Sequence, residues 1–287
     1  MIKIVSDSAC ELSKVQADEL GVEITPLIVT VSQKSYRENE EITDIQLLKM
    51  IEEGATPSSS QPSIGEKMDL YNRLIAEGYQ VLDITMADGL SGTYQSACVA
   101  KDACDNPDQV TVFNTRTLCV PQYVLVTKAA KMAQDGASLD EILAFLEKAC
   151  ATSHSFLIPI DFDFLLRGGR TSNASAFLGG LLKLIPVIRA NDQGTKLEKY
   201  TIVRTYKKAF AQMLAYLKDH QVDENYTICL AHAHNQELVD KGIEWIKKEY
   251  PNNPIVVLPL TPVLIAQGGP GCVALQTINV KFKKSML

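Results

Sequence analysis

The sequence predicts an α/β fold in two domains, the first built on a mainly parallel sheet. Three observations carry that expectation. Apolar runs of strand length alternate with amphipathic helical stretches, the signature of βαβ units. The pattern changes after Ala151. The length of 287 residues suits two domains of about 150 residues each. A boundary near residue 153 divides the chain into 1–153 and 154–287. No low-complexity linker marks that boundary, so the two halves are expected to touch.

In chain order, Ile2 to Val5 reads as a strand, and Glu23 to Val31 as one further strand. Thr43-Asp-Ile-Gln46 is a capping-box pattern, with Leu47, Leu48 and Ile51 following at helical spacing. Ser63-Ile-Gly-Glu66 is a second such box, with Leu70, Tyr71, Leu74 and Ile75 on one face. Gln80 to Met86 is a strand, Gly92 to Ala103 a helix, and Val110 to Asn114 a strand. A helix over Pro121 to Asp135 follows, and Ser138-Leu-Asp-Glu141 caps the next one. Beyond Ala151, Ser155 to Ile160 is a strand. Pro186 to Ala190 and Lys196 to Val203 form a hairpin around Asn-Asp-Gln-Gly. Tyr206 to Asp219 and Glu237 to Tyr250 are helical, with strands at Tyr226 to Ala231 and Ile255 to Pro259.

Composition narrows the function. Hydrophobic residues make up 46% and charged residues 22%, which fits a folded globular chain and excludes disorder or a coiled coil. A net charge of −6 argues against a nucleic-acid-binding surface. No apolar run reaches the roughly 18 residues of a membrane span. The N-terminal run meets Asp7 too early to hold a signal-peptide core. Seven cysteines, an odd count with no CxxC pair, point to free thiols in a reducing cytoplasm.

Four segments carry candidate chemistry. Thr56-Pro-Ser-Ser-Ser-Gln-Pro-Ser63 packs hydroxyls before a helix N-terminus, where free N–H groups favour an anion. Asp88-Gly-Leu-Ser-Gly-Thr-Tyr-Gln-Ser-Ala97 follows a strand and opens a helix, the place where doubly wound sheets bind ligands. There Ser91, Gly92 and Thr93 offer hydroxyl and backbone donors. Leu166-Arg-Gly-Gly-Arg-Thr171 sets guanidiniums beside glycines. Gln267-Gly-Gly-Pro-Gly271 follows an apolar run and permits close backbone approach. Each segment also reads as an ordinary cap, helix break or turn. A Walker loop, a GxGxxG motif and a GxSxG elbow are all lacking. His232 and His234 share a strand face without a nearby Cys or Asp, so packing is favoured over a metal site.

Taken together, these segments resemble the DegV family of bacterial fatty-acid-binding proteins. The carrying residues are Ser6-Asp-Ser8, Ser59-Ser-Gln-Pro-Ser63, Leu90-Ser-Gly-Thr-Tyr-Gln-Ser-Ala97, Gly168-Gly-Arg170, Val203-Arg204 and Gly269-Pro-Gly271. They stand in family order over nearly the whole chain. The resemblance implies two α/β domains with a long-chain fatty acid in the cleft between them. It also implies a lipid-binding subunit, with no cofactor or metal and no enzymatic activity of its own, that presents its ligand to a separate fatty-acid kinase. That partner brings ATP and forms the acyl phosphate, which accounts for the missing ATP loop.

Carried over by position, the family's carboxylate pair falls on Ser59, where threonine is common, and on Ser91. Ser60, Gly92, Thr93 and Gln267 are the expected supporting head-group site. Where the family often has histidine, Gln267 donates a hydrogen bond but carries no charge. Thr117-Leu-Cys-Val-Pro-Gln-Tyr123 departs from a usual glycine-bearing run. Arg170 and Arg204 are candidates for the partner surface or the reacting phosphate. The apolar stretch Ala176 to Ile188, with Phe177, Leu178, Leu181, Leu182 and Leu184, is a candidate wall of the tail channel or ordinary core. A tail of roughly 14 methylenes at about 0.8 kcal/mol each contributes about 11 kcal/mol before costs. Hydroxyl bonds to a carboxylate add about 1.5–3 kcal/mol each. Two other readings remain: an enzyme acting on a small phosphorylated or carboxylated metabolite, with Asp7 as general base, and a lipid sensor or chaperone without a catalytic partner.

Overall fold

The computed structural model describes residues 1–171, 184–191 and 193–282. Strand β1 (Ile2–Asp7) leads through helix α1 (Lys14–Leu20) to β2 (Glu23–Thr25), β3 (Ile28–Val31) and β4 (Lys34–Arg37). Then come α2 (Asp44–Glu52), β5 (Ser58–Ser60), α3 (Ile64–Ala76), β6 (Gln80–Thr85), α4 (Thr93–Ala103) and β7 (Val110–Asn114). Helices α5 (Val120–Gln134) and α6 (Leu139–Cys150) precede β8 (His154–Ile158), α7 (Asp163–Gly168), β9 (Ile185–Ala190) and β10 (Leu197–Val203). The chain ends with α8 (Tyr206–Asp219), β11 (Thr227–His232), α9 (Gln236–Glu249), β12 (Ile255–Pro259), α10 (Pro262–Gly268) and β13 (Val273–Ile278).

The fold is α/β, as expected, and its first sheet is wholly parallel in the order β2-β1-β6-β7. Helices cover it, so β6 is buried from Val81 to Thr85 and reads as a nearly continuous apolar run. The helix starts follow the capping chemistry. Thr43 with Gln46 and Ser138 with Glu141 close reciprocal capping boxes. Ser63 accepts only from Glu66 N, because the Glu66 carboxylate pairs with Arg37 at 2.9 Å instead.

One strand expectation is corrected. Glu23 to Val31 is two strands in two sheets, split at Pro26, whose missing N–H cannot continue a ladder. The second piece, β3, is the centre of a small antiparallel sheet ordered β4-β3-β5. A two-residue hairpin turn at Ser32 and Gln33, both at positive φ, returns the chain into β4. On the other edge, β5 sets Ser59 opposite Val29.

The third sheet runs β10-β9-β8-β13-β11-β12. It is mixed: β11 and β12 are parallel and its other pairs antiparallel. The β9–β10 hairpin matches its sequence reading. Strand β13, unread in the sequence, is fully buried inside this sheet. Helices α8 and α9 pack on one face, where Phe210 and Trp245 meet edge to face. Helix α5 lies between the sheets, against β1 on one side and β11, β12 and β13 on the other. Its residues are buried from Val120 to Thr127, and it is apolar nearly all round for that reason. Its start accommodates the Pro121 departure, since proline fits the first helical turn.

Candidate functional site

A strand, a turn and a helix converge on one cavity. Strand β5 delivers Ser59 and Ser60, the turn after β6 delivers Ser91, and α10 delivers Gln267. Ser59, Ser60, Ser91, Arg170 and Gln267 all line one cavity. The cavity brings together the hydroxyl segments that the sequence kept apart.

The turn after β6 is shaped from below by Asp7. This side chain is fully buried, and its Oδ2 accepts from Met86 N at 2.8 Å. Its Oδ1 accepts from Ala9 N at 3.1 Å and from Gln122 Nε2 at 3.3 Å. Burial raises its pKa to about 6, against the lowering effect of the Met86 hydrogen bond. Both oxygens serve backbone or core partners and do not face the cavity, so a general-base role for Asp7 has no geometric support. Ser6 donates to Ile84 O at 2.7 Å and is likewise a scaffold group.

Above this support, Leu90 N and Ser91 N both bond to Ala87 O and form a tight turn. Gly92 caps α4 without a side-chain bond. A Cβ on Gly92 would stand 3.3 Å from the side-chain end of Gln61, so the two hydroxyl loops meet at this glycine. Ser91 Oγ accepts from Thr93 N at 3.3 Å and shares a 2.7 Å hydrogen bond with the buried Thr93 hydroxyl.

Gln267 reaches the site from the far end of the chain. Its Nε2 donates to Ser59 Oγ at 2.8 Å. That bond uses an acceptor position on Ser59 and leaves the hydroxyl proton for another acceptor. Gly168 makes room for Gln267, since a Cβ there would fall 2.0 Å from Gln267 Oε1. Helix α10 is itself held by Glu38, whose Oε2 accepts from Val263 N at 2.8 Å and whose other oxygen accepts from Ser8. Burial raises the Glu38 pKa to about 7, against lowering hydrogen bonds from Ser8 and Val263. Sequence reading missed Glu38 because its partners lie 30 and 225 residues away.

The two arginines separate. Arg170 lines the cavity and donates Nε–H to Leu90 O at 3.1 Å and an Nη1–H to Gly168 O, two of the five donors of its guanidinium. It fastens α7 to the Ser91 loop. Arg204 is exposed and outside the cavity lining. His232 Nδ1 accepts from Asn235 N at 3.2 Å within its own turn, and His234 pairs with Asp44 at 2.7 Å, tying that turn to the start of α2.

Away from the hydroxyls the lining turns apolar. Leu27, Met86, Val263 and Leu264 wall the first cavity. A second cavity adjoins it and shares Leu90, Leu118, Leu165, Leu197, Leu264 and Gln267. Phe156, Leu157, Cys119, Cys272 and Ala274 extend it inward between the halves. Of the sequence candidates for this wall, Phe177, Leu178, Leu181 and Leu182 lie outside the described residues. Leu184 is half-buried and lines neither cavity. The leucines that do line it stand next to the motifs, as Leu90 does before Ser91 and Leu264 does three residues before Gln267.

Comparison with known proteins places this geometry among relatives. The family model described as "Uncharacterised protein, DegV family" matches residues 1–280. Protein DegV of Bacillus subtilis is 31% identical over 254 residues, covering 88% of this chain and 89% of that protein. A DegV domain-containing protein of Listeria innocua is 31% identical over 283 residues, covering 96% and 97%. Among solved structures, a DegV family protein from Thermus thermophilus, described for its fatty acid binding, is 29% identical with a TM-score of 0.86. The match covers 97% of this chain and 99% of that one. The Bacillus subtilis structure, described as DegV, a fatty acid binding protein, is 28% identical with a TM-score of 0.84, covering 97% and 99%.

Proposed function

The chain belongs to the DegV family, and from that premise we propose that it binds a long-chain fatty acid and presents it to a separate kinase. One observation carries the reading most: Ser59, Ser91 and Gln267 gather at one end of a cavity whose continuation is almost wholly apolar. Ser59 and Ser91 grip the carboxylate. Each accepts a hydrogen bond from a neighbour that orients it and donates its own proton to the acid group. Ser60, Gly92, Thr93 and Gln267 support that head-group site. The tail supplies most of the affinity, at about 0.8 kcal/mol per buried methylene. In this division of labour residues 1–153 provide the carboxylate loops and residues 154–287 cover the tail.

The acid end is the reachable one. Ser60 and Gln61 line the cavity and are exposed, as is Gly92. A kinase bringing its own nucleotide meets the carboxylate there, with exposed Arg204 available to an acidic partner surface. The seven free thiols fit a cytoplasmic setting. No helix among the described residues is long and apolar enough to cross a membrane.

Purified protein from a bacterial host, extracted with organic solvent and read by mass spectrometry, is expected to release long-chain fatty acid in near-equimolar amount. Delipidated protein that takes up no labelled palmitate would contradict the reading. Binding without acyl-phosphate formation by the cognate kinase would favour the lipid sensor or chaperone instead.

A further inference from the structure

We propose that the apolar continuation of the acyl cavity carries a second polar station, Gln276 with Ser155, that accepts a hydroxyl group borne on the ligand's chain. The inference rests on the acyl reading of the cavity and deepens it: the ligand class becomes hydroxylated long-chain fatty acids alongside plain ones.

Gln276 lies on β13, directly across the ladder from Ser155 on β8, and both residues line the second cavity. The Gln276 residue is 2% exposed among leucine, phenylalanine, alanine and cysteine neighbours. Its Nε2 donates to Ser155 Oγ at 2.9 Å and to Leu118 O at 3.2 Å. Those two bonds use both amide protons. The carbonyl end differs, since Oε1 is buried with no hydrogen-bond partner. Ser155 accepts the Gln276 bond and keeps its own hydroxyl proton to donate.

A purely structural tie between β13 and the Leu118 loop explains the donors and leaves Oε1 as a buried cost. A hydroxyl on the ligand resolves both ends together. It donates to Gln276 Oε1 and accepts from Ser155, so the station offers one acceptor and one donor to a group that needs one of each. Without such a station, burying a chain hydroxyl in an apolar cavity costs roughly tenfold in affinity or more.

The test is a binding series with delipidated full-length protein, using stearate and hydroxystearates whose hydroxyl is moved along the chain. In the wild type, one position is expected to match or exceed stearate, while the others bind at least tenfold more weakly. Gln276→Leu should lower that isomer's affinity relative to stearate's by roughly tenfold. Ser155→Ala, a smaller change, should move the same isomer in the same direction and supports the assignment should Gln276→Leu fold poorly. Stearate binding with every isomer weakened alike, in wild type and variants, overturns this proposal alone; a resident water on Gln276 gives that pattern. Failure of stearate and all isomers to bind overturns the acyl reading and this proposal with it.

Discussion

Gln267 Nε2 and Ser59 Oγ meet at 2.8 Å across 208 residues of sequence, tying α10 to the edge strand β5. The contact occupies an acceptor position on Ser59 and leaves the hydroxyl proton for another acceptor. It makes Gln267 a positioning residue for Ser59.

Gln267→Leu is expected to weaken palmitate binding by up to roughly tenfold, the worth of one hydrogen bond between neutral groups. Gln267→His should retain most of the affinity, because the imidazole can still donate. Gln267→Glu should bind more weakly than Gln267→Leu, because it sets a second carboxylate beside the ligand's own. Isothermal titration of the three variants reads the order.

Ser91→Ala should also lower affinity by roughly tenfold, and should lower acyl-phosphate formation with the cognate kinase. Shortening the ligand by two methylenes should cost slightly more, about 1.6 kcal/mol, in wild type and variant alike. Equal losses for both proteins place the tail and the hydroxyl at separate ends of the cavity. Unequal losses would mean that they share one contact.

Glu38 gives the fold a pH signature. Its native pKa stands at about 7 against 4.5 in the open chain, because burial penalises the charged form. The folded state therefore binds the proton more tightly. This contribution to stability is fully present below pH 4.5 and is lost as pH rises through about 7. Across that window Glu38 alone removes about 3 kcal/mol, and Asp7, raised to about 6, acts in the same sense. Glu38→Gln should flatten the fall, so its Tm relative to wild type should improve between pH 5 and 8. A parallel Tm profile would refute the assignment.

Lys67 and Asp83 form a fully buried ion pair, with Tyr71 donating to the same carboxylate oxygen. Lys67→Met strands a buried charge and should destabilise by about 3–5 kcal/mol. Denaturant unfolding checks the loss. Palmitate affinity of the folded fraction should stay unchanged, since neither residue lines the cavity.

Much of this architecture was legible in the sequence, and the reason is local chemistry. Thr43 and Ser138 announce helices through their own caps, and the strand at Gln80 announces itself by Val81, Leu82, Ile84 and Met86 around a single Asp83. The hydroxyl loops were legible because each sits where a strand hands over to a helix. What was illegible depends on distant partners. The β3–β4 turn uses Ser32 and Gln33 at positive φ in place of the Asn-Gly that signals such a hairpin. Strand β13 follows a glycine-rich turn and lacks alternation because neighbours cover it on both faces. Asp7 looks like a reactive carboxylate beside two serines, and only its backbone partners Met86 and Ala9 show it to be structural.

The most direct measurement is a crystal structure of the delipidated protein reloaded with palmitate. The account predicts one carboxylate oxygen within about 2.5–3.0 Å of each of Ser59 Oγ and Ser91 Oγ, with the chain running past Leu118 and Leu165 toward Gln276. A carboxylate at the Gln276 end, or a chain lying outside both cavities, would contradict it.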